Sequence, residues 1–136
     1  MDSARGFPKK TVEFLRSSQI IGIRAGNNSY RFIGVWVVVV EDRVFVRSWG
    51  VKPNGWFCTL EADPQGRVQV LDGREFRIRA VFTRSERLKT AVDKAYAEKY
   101  HTPASMKWVR DLIKPRCRNT TTELVPVTTG KAAKKS

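Results

Sequence analysis

IIGIRAGNNSYRFIGVWVVVVEDRVFV, residues 20–46, is the stretch whose reading decides the fold. Ile20, Ile21 and Ile23 form a β-branched run that ends at Gly26, Asn27 and Asn28, residues that tolerate positive φ, so a strand enters a turn here. Tyr30 to Val40 follows, rich in β-branched and aromatic residues and apolar on both parities after Ile33, which predicts a central strand covered on both faces. Glu41, Asp42 and Arg43 make a polar turn, and Val44, Phe45 and Val46 return as the hairpin partner. Four consecutive valines on an open edge would invite aggregation, so the sheet must cover this strand. The expectation is an antiparallel meander.

Upstream, residues 1–10 read as a flexible arm leading into a helical turn near Thr11 to Arg16. Downstream, Ser48 to Gly55 is a loop, and Trp56 to Ala62 can form two helical turns. Arg67 to Leu71 and Glu75 to Phe82 flank Asp72 and Gly73, a dipeptide that predicts a type I′ hairpin turn. Thr83 and Glu86 have capping-box spacing, and Leu88, Ala91, Val92, Ala95 and Tyr96 recur at helical intervals, predicting a helix over about Ser85 to Tyr100. Thr102 and Pro103 open a second helix carrying Met106, Trp108, Val109, Leu112 and Ile113, which Pro115 stops. Thr120 to Val127 reads as the last strand, and residues 128–136 as a disordered basic tail. The whole is mainly β with helices: one domain over residues 11–127, with six antiparallel strands closed into a barrel and a two-helix insertion before the last.

The chain of 136 residues carries 26 Lys and Arg against 13 Asp and Glu, a formal charge of +13 that favours an anionic partner. Cys58, Cys117 and His101 are too few and too scattered for a zinc or haem motif, so no metal site is expected. The N-terminus lacks an apolar signal core, which argues for a reducing cytoplasm and two ordinary thiols; a Cys58 to Cys117 disulfide stays open. The longest apolar run, Ile33 to Val40, is too short to span a bilayer, and no membrane partner is expected.

Chemistry concentrates in residues 45–60, FVRSWGVKPNGWFCTL. A strand delivers Arg47 and Ser48 into a loop containing Gly50, and Lys52 precedes the helix beginning at Trp56. Phosphate needs cations, a hydroxyl and free backbone N–H groups close together, and this order can supply all three. Trp49 and Trp56 could cover a planar ring. A plain connector loop with two packed tryptophans is the competing reading.

At this stretch, together with residues 20–46, AVDKAYAEKY at 91–100 and TELVPV at 122–127, the sequence resembles a bacterial family of split-barrel proteins of unknown function. That group is similar in turn to FMN-binding and deazaflavin-binding split barrels, including pyridoxamine-phosphate-oxidase-like proteins and deazaflavin-dependent nitroreductases. The resemblance covers about Thr11 to Val127. It implies a six-stranded antiparallel split β-barrel, a homodimer, and an isoalloxazine-type ring in a groove between subunits with its phosphate held by basic and hydroxyl residues. On it, Ser48 matches the serine ending the third strand, and Trp56, Phe57 and Leu60 match residues of the short helix after the loop. The loop from Ser48 to Trp56 is shorter than in the deazaflavin enzymes, which puts Lys52 out of register. Their Gly-Arg-Lys-Ser-Gly turn is replaced here by Gly26, Asn27, Asn28, Ser29 and Tyr30. FMN is thereby favoured over deazaflavin, and a cofactor-free protein stays open.

The leading expectation is a flavin- or deazaflavin-type cofactor-binding protein, an oxidoreductase of unknown substrate, with Arg47, Ser48, Gly50 and Lys52 at the phosphate and Trp36, Trp49 and Trp56 at the ring. Catalytic residues are not legible. His101 follows a helix end without a nucleophile or acid placed beside it, and hydrolase, kinase and Rossmann motifs are lacking. The competing expectations are a nucleic-acid-binding module, motivated by +13 and by aromatics among the basic residues, and a cofactor-free structural dimer. Lys107, Arg110, Lys114, Arg116 and Arg118 gather near the end of the second helix, where cations favour the dipole but could also reach a phosphate. Arg74, Arg77, Arg79 and Arg84 read as a solvated strand face.

Overall fold

A computed structural model describes residues 6–26, 31–51, 53 and 55–127. Helix α1 (Lys9–Ser17) leads into strands β1 (Ile20–Ala25), β2 (Ile33–Val40) and β3 (Arg43–Val46). Helix α2 (Trp56–Ala62), β4 (Gln65–Gln69) and β5 (Glu75–Phe82) follow. The insertion comprises α3 (Glu86–Lys99), α4 (Pro103–Leu112) and the single turn α5 (Pro115–Arg118), after which β6 (Thr122–Pro126) completes the sheet. The strands close into an antiparallel barrel in the order β1, β2, β3, β6, β5, β4. The expected six-stranded barrel is present, and the insertion carries one helical turn more than the two helices predicted.

Period-2 alternation sorts the side chains. Ile21, Ile23, Val35, Val37, Val44, Val46, Val68, Ile78, Ala80 and Leu124 fill the barrel. Helix α1 closes one end: Val12 and Leu15 join the core, and Phe7, ahead of the helix, meets Phe76 edge-on at 5.2 Å. At the other end α2 inserts Trp56, Phe57 and Leu60. Its close approach needs Gly66, where a Cβ would lie 2.8 Å from the Arg24 carbonyl oxygen and 3.2 Å from Leu60. Among the described residues, side chains rather than a channel occupy the barrel interior.

Two local expectations change place. Glu41 and Asp42 both have positive φ, 55° and 62°, so the two-residue type I′ geometry sits at this glycine-free turn. At the second hairpin only Gly73 is left-handed, with φ 98°, and its N–H donates to the Val70 carbonyl at 2.8 Å. That is a turn centred on Leu71 and Asp72 followed by a glycine bulge, because the Val70 N–H also donates to the Arg74 carbonyl at 2.9 Å and leaves Gly73 as the extra residue. The cap of α3 is Ser85, whose Oγ accepts the Leu88 N–H at 3.1 Å; Thr83 instead accepts the Ser85 N–H. Thr102 caps α4 as expected.

Helices α3 to α5 cover the outer faces of β2 and β3 and form a second core with Val38, Phe45, Val92, Tyr96, Val109 and Leu112. A buried cation ties this layer down. The Arg47 side chain is wholly buried. Its Nε donates to Thr121 Oγ1 at 2.8 Å, Nη1 to Asp93 Oδ1 at 2.6 Å and to the Leu112 carbonyl at 3.0 Å, and Nη2 to the Lys89 carbonyl at 3.0 Å. Asp93 also accepts from Arg118 Nε at 3.0 Å, which fixes α5 to α3. One guanidinium thus joins β3, α3, α4 and the approach to β6.

Lys99 makes a second tie. Its Nζ donates to the Leu15 carbonyl at 2.9 Å and the Val37 carbonyl at 2.8 Å, linking α3 to α1 and β2. The two carbonyls favour the ammonium, yet burial outweighs them and lowers its pKa to about 8. Burial pushes the Tyr96 and Tyr100 hydroxyls the other way, well above the usual tyrosine range.

Two outcomes follow. Replacing Arg47 by Ala removes one of the two guanidinium partners of Asp93, leaves the Lys89 and Leu112 carbonyls without its N–H donors, and should destabilise the fold by about 3–5 kcal/mol in urea unfolding; a loss below about 1 kcal/mol would show that the clamp is not needed. For Lys99, the unfolded chain holds its proton up to about pH 10.5 while the folded chain releases it near pH 8. Between those values the unfolded state binds more protons, so wild type gains stability relative to Lys99→Met as pH rises from about 8 to 10. The raised tyrosines act oppositely above pH 10, in both proteins alike. Parallel pH profiles for the two proteins would refute this assignment.

Candidate functional site

The covering layer leaves an open cleft of about 620 Å³ where α4 and α5 approach the end of β3 and the outer face of β2. Three indoles wall it. Trp36, on the outward face of β2, stacks flat on Tyr100 at 4.2 Å with an interplanar angle of 4°. Its carbonyl accepts the Tyr96 hydroxyl at 2.8 Å, so both its ring and its backbone are held by α3 and the residue that caps it. Trp49 stands edge-on to Trp36 at 5.8 Å, and Trp108 of α4 stands edge-on to Trp49, also at 5.8 Å. Trp49 is 41% and Trp108 46% exposed, so these two rings present apolar surface to solvent.

Charged groups border the indoles. Lys114 and Arg116 lie on the rim, and Asp111 holds the Lys114 ammonium at 3.3 Å in an exposed pair of small energetic weight. Lys107 lies over the Trp108 ring at 5.2 Å. Cys117 also lines the cleft; its Sγ donates to the Trp49 carbonyl at 3.5 Å, and burial pushes the thiol pKa up, so it is a neutral group near pH 7. Both cysteines are free thiols.

Of the residues singled out from the sequence, Trp36 and Trp49 line this cleft. Arg47 does not: the groups placed around it by α3, α4 and residue 121 take its N–H donors, and a phosphate cannot reach it. Trp56 is turned into the barrel core, edge-on to Phe57 at 6.0 Å, because α2 acts as the plug. Ser48 shapes the loop. Its N–H donates to Thr120 Oγ1 at 2.8 Å and its hydroxyl donates to the Gly50 carbonyl, folding Gly50 back on the strand end. Among the described residues beyond its chain neighbours, no heavy atom lies within 4 Å of where a Gly50 Cβ would stand. Lys52 lies outside the described residues. His101 Nδ1 meets the Glu98 carbonyl at 3.0 Å at the end of α3, in keeping with a capping role.

The sequence places Trp108 among the apolar residues of α4 and leaves Lys114 and Arg116 between the helix dipole, the favoured role, and a phosphate. Helical spacing carried a signal that separates them. Val109 and Leu112 are the buried pair of α4, and Trp108 and Asp111, each one residue earlier, share the neighbouring stripe that faces the cleft. A tryptophan one position off a buried stripe is a candidate for the surface. Among the described residues, no group of three or more His, Cys, Asp or Glu could hold a metal ion, and no helix is long and apolar enough to cross a membrane.

Two solved structures share this architecture. The crystal structure of the conserved hypothetical protein Rv2991 from Mycobacterium tuberculosis matches with a TM-score of 0.58 at 15% identity, covering 93% of this chain and 84% of that one. A NimC/NimA family protein from Clostridium acetobutylicum matches with a TM-score of 0.50 at 12% identity, covering 88% and 78%. At such identities the likeness is one of fold. No curated protein sequence matches the chain. Residues 14–124 match the family described as "Uncharacterized protein conserved in bacteria (DUF2255)". That span takes in five strands of the barrel, the start of the sixth and every residue that walls the cleft, and the chain belongs to this family.

Proposed function

We propose that the indole cleft binds the flat ring of a phosphate-bearing cofactor of the flavin type, FMN or a deazaflavin, and that the protein is an oxidoreductase built on that cofactor. The observation that carries the reading is the meeting of three indoles with Lys114 and Arg116 in one cleft whose volume falls in the roughly 300–1,000 Å³ range of small-molecule sites. The residues fit the group in kind: Trp36 is rigidly backed, Trp49 and Trp108 offer faces and edges to a planar ring, and the rim supplies cations for its anionic end.

A bound ring of this class would supply hydride or electron transfer. The chain's own residues bind and orient. Trp49 and Trp108 exclude water from the ring, the neutral Cys117 thiol keeps that part of the lining uncharged, and Lys114 exchanges the Asp111 carboxylate for phosphate oxygens. The phosphate role expected of Arg47 passes in this reading to Lys114 and Arg116. The resemblance of the sequence to flavin and deazaflavin split barrels supports the choice of cofactor class.

The test is titration of the purified protein with FMN and with a deazaflavin, followed by tryptophan emission and the visible spectrum. Saturable quenching with a Kd of tens of micromolar or tighter is expected, weakened at least ~10-fold by Trp108→Ala and by the double change Lys114→Ala with Arg116→Ala. Lack of binding to both compounds in that range would end the proposal.

A further inference from the structure

On the far side of the barrel from the cleft, the outer wall made by β1, β4 and β5 carries arginines in register. Arg24 of β1 is directly opposite Arg67 of β4, and Arg67 is directly opposite Arg77 of β5. Arg79 points the same way two residues further along β5. With strands ~4.8 Å apart and a rise of ~3.4 Å per residue, the four guanidinium groups spring from a patch about 10 Å by 7 Å. Arg67, Arg77 and Arg79 are exposed, and Arg24 lies half-buried over the Phe32 ring at 5.3 Å. Among the described residues, Arg67 alone of the four has a carboxylate partner, Glu75 at 4.0 Å, in an exposed pair that contributes little.

Like charges directly opposite each other on neighbouring strands are destabilising. Glu75 offsets Arg67 alone, and among the described residues no carboxylate meets Arg24, Arg77 or Arg79. The helices lie elsewhere, α1 and α2 at the barrel ends and α3 to α5 against β2 and β3, so among the described residues no helix covers the row. We infer that Arg24, Arg67, Arg77 and Arg79 form a docking face for the phosphate backbone of a nucleic acid.

Several features select this partner. All four residues are arginine, whose forked donors match phosphate oxygens. The row is wider than a single phosphate, whereas one nucleic-acid strand offers a charge about every 3.4 Å along its axis and can meet several guanidiniums at once. The row runs around the barrel's circumference, so a flat membrane meets only part of it while a bending chain follows it. A second copy of the same face would set arginine against arginine. Phe32, the aromatic ring of this face, is covered by Arg24, which leaves phosphate contact without base stacking and predicts binding indifferent to base sequence.

The inference is independent of the cofactor reading, because the two sites lie on opposite walls. The experiment is fluorescence anisotropy with labelled single-stranded and duplex oligonucleotides across a salt series. A log-log slope of about −3 is expected for the full chain, from three to four phosphate contacts. Arg67→Gln with Arg77→Gln should weaken binding at least ~10-fold at low salt and flatten the slope by about 1.5. Thermal unfolding of that variant should occur at the wild-type temperature or above, since repulsion is relieved. Trp49→Ala with Trp108→Ala should leave oligonucleotide affinity unchanged. Unaltered binding by the arginine variant, a response flat in salt, or binding to phosphatidylserine vesicles in place of oligonucleotides would each overturn the inference.

Discussion

A guanidinium without solvent contact organises this molecule. Moving a charge out of water costs several kcal/mol unless an opposite charge and further hydrogen bonds replace what water supplied. Arg47 has both: a carboxylate oxygen of Asp93, the carbonyls of Lys89 and Leu112, and the hydroxyl of Thr121. These partners come from separate segments, so the charge is tolerable only when β3, α3, α4 and the chain entering β6 are all in place together. The arrangement is cooperative for that reason. It also extends outward, because Asp93 shares its second oxygen with Arg118, which reaches Glu86 and Thr90 at the start of α3.

That clamp decides where ligand space lies. Among the described residues the barrel interior is filled by branched aliphatic side chains and closed at its two ends by α1 and α2. An open cleft lies instead at the seam where the clamped helical layer meets the sheet. There the packing of Tyr100, Trp36, Trp49 and Trp108 runs from the second core to the solvent, each ring set by its neighbour. Rigid inner rings and exposed outer ones give a surface that is preorganised at its base and open at its mouth, which reduces the ordering cost of binding a flat molecule.

Charge is divided between the walls according to what covers them. Buried and half-buried cations have built partners: Arg47 and Arg118 share Asp93, Arg43 meets Glu123, and Lys99 donates to two carbonyls. On the wall of β1, β4 and β5, Arg24, Arg77 and Arg79 have no carboxylate partner among the described residues, and the +13 of the whole chain is felt there by any approaching anion. Burial demands pairing and solvent does not, so the same residue type has a structural use on one side of the barrel and is free to meet a partner on the other.

The sequence by itself determined the elements and their order: strands from period-2 and β-branched runs, helices from 3.6-residue periodicity and caps, and barrel closure from the need to cover a four-valine strand. These rest on interactions between residues close in the chain, and they hold even where turn type or cap shifted by a residue or two, as at Gly73 and Ser85. Only the tertiary structure decided which cation is buried, which tryptophan faces solvent, and which residues share a cleft. Arg47, Arg67 and Arg116 look alike in sequence, and so do Trp56 and Trp108. Their fates are set by partners far away in the chain, such as Thr121 and Asp93 for Arg47, and by whether a helix happens to pack over them. Local pattern carries no record of those distant neighbours, because a guanidinium or an indole becomes structural or available through what surrounds it.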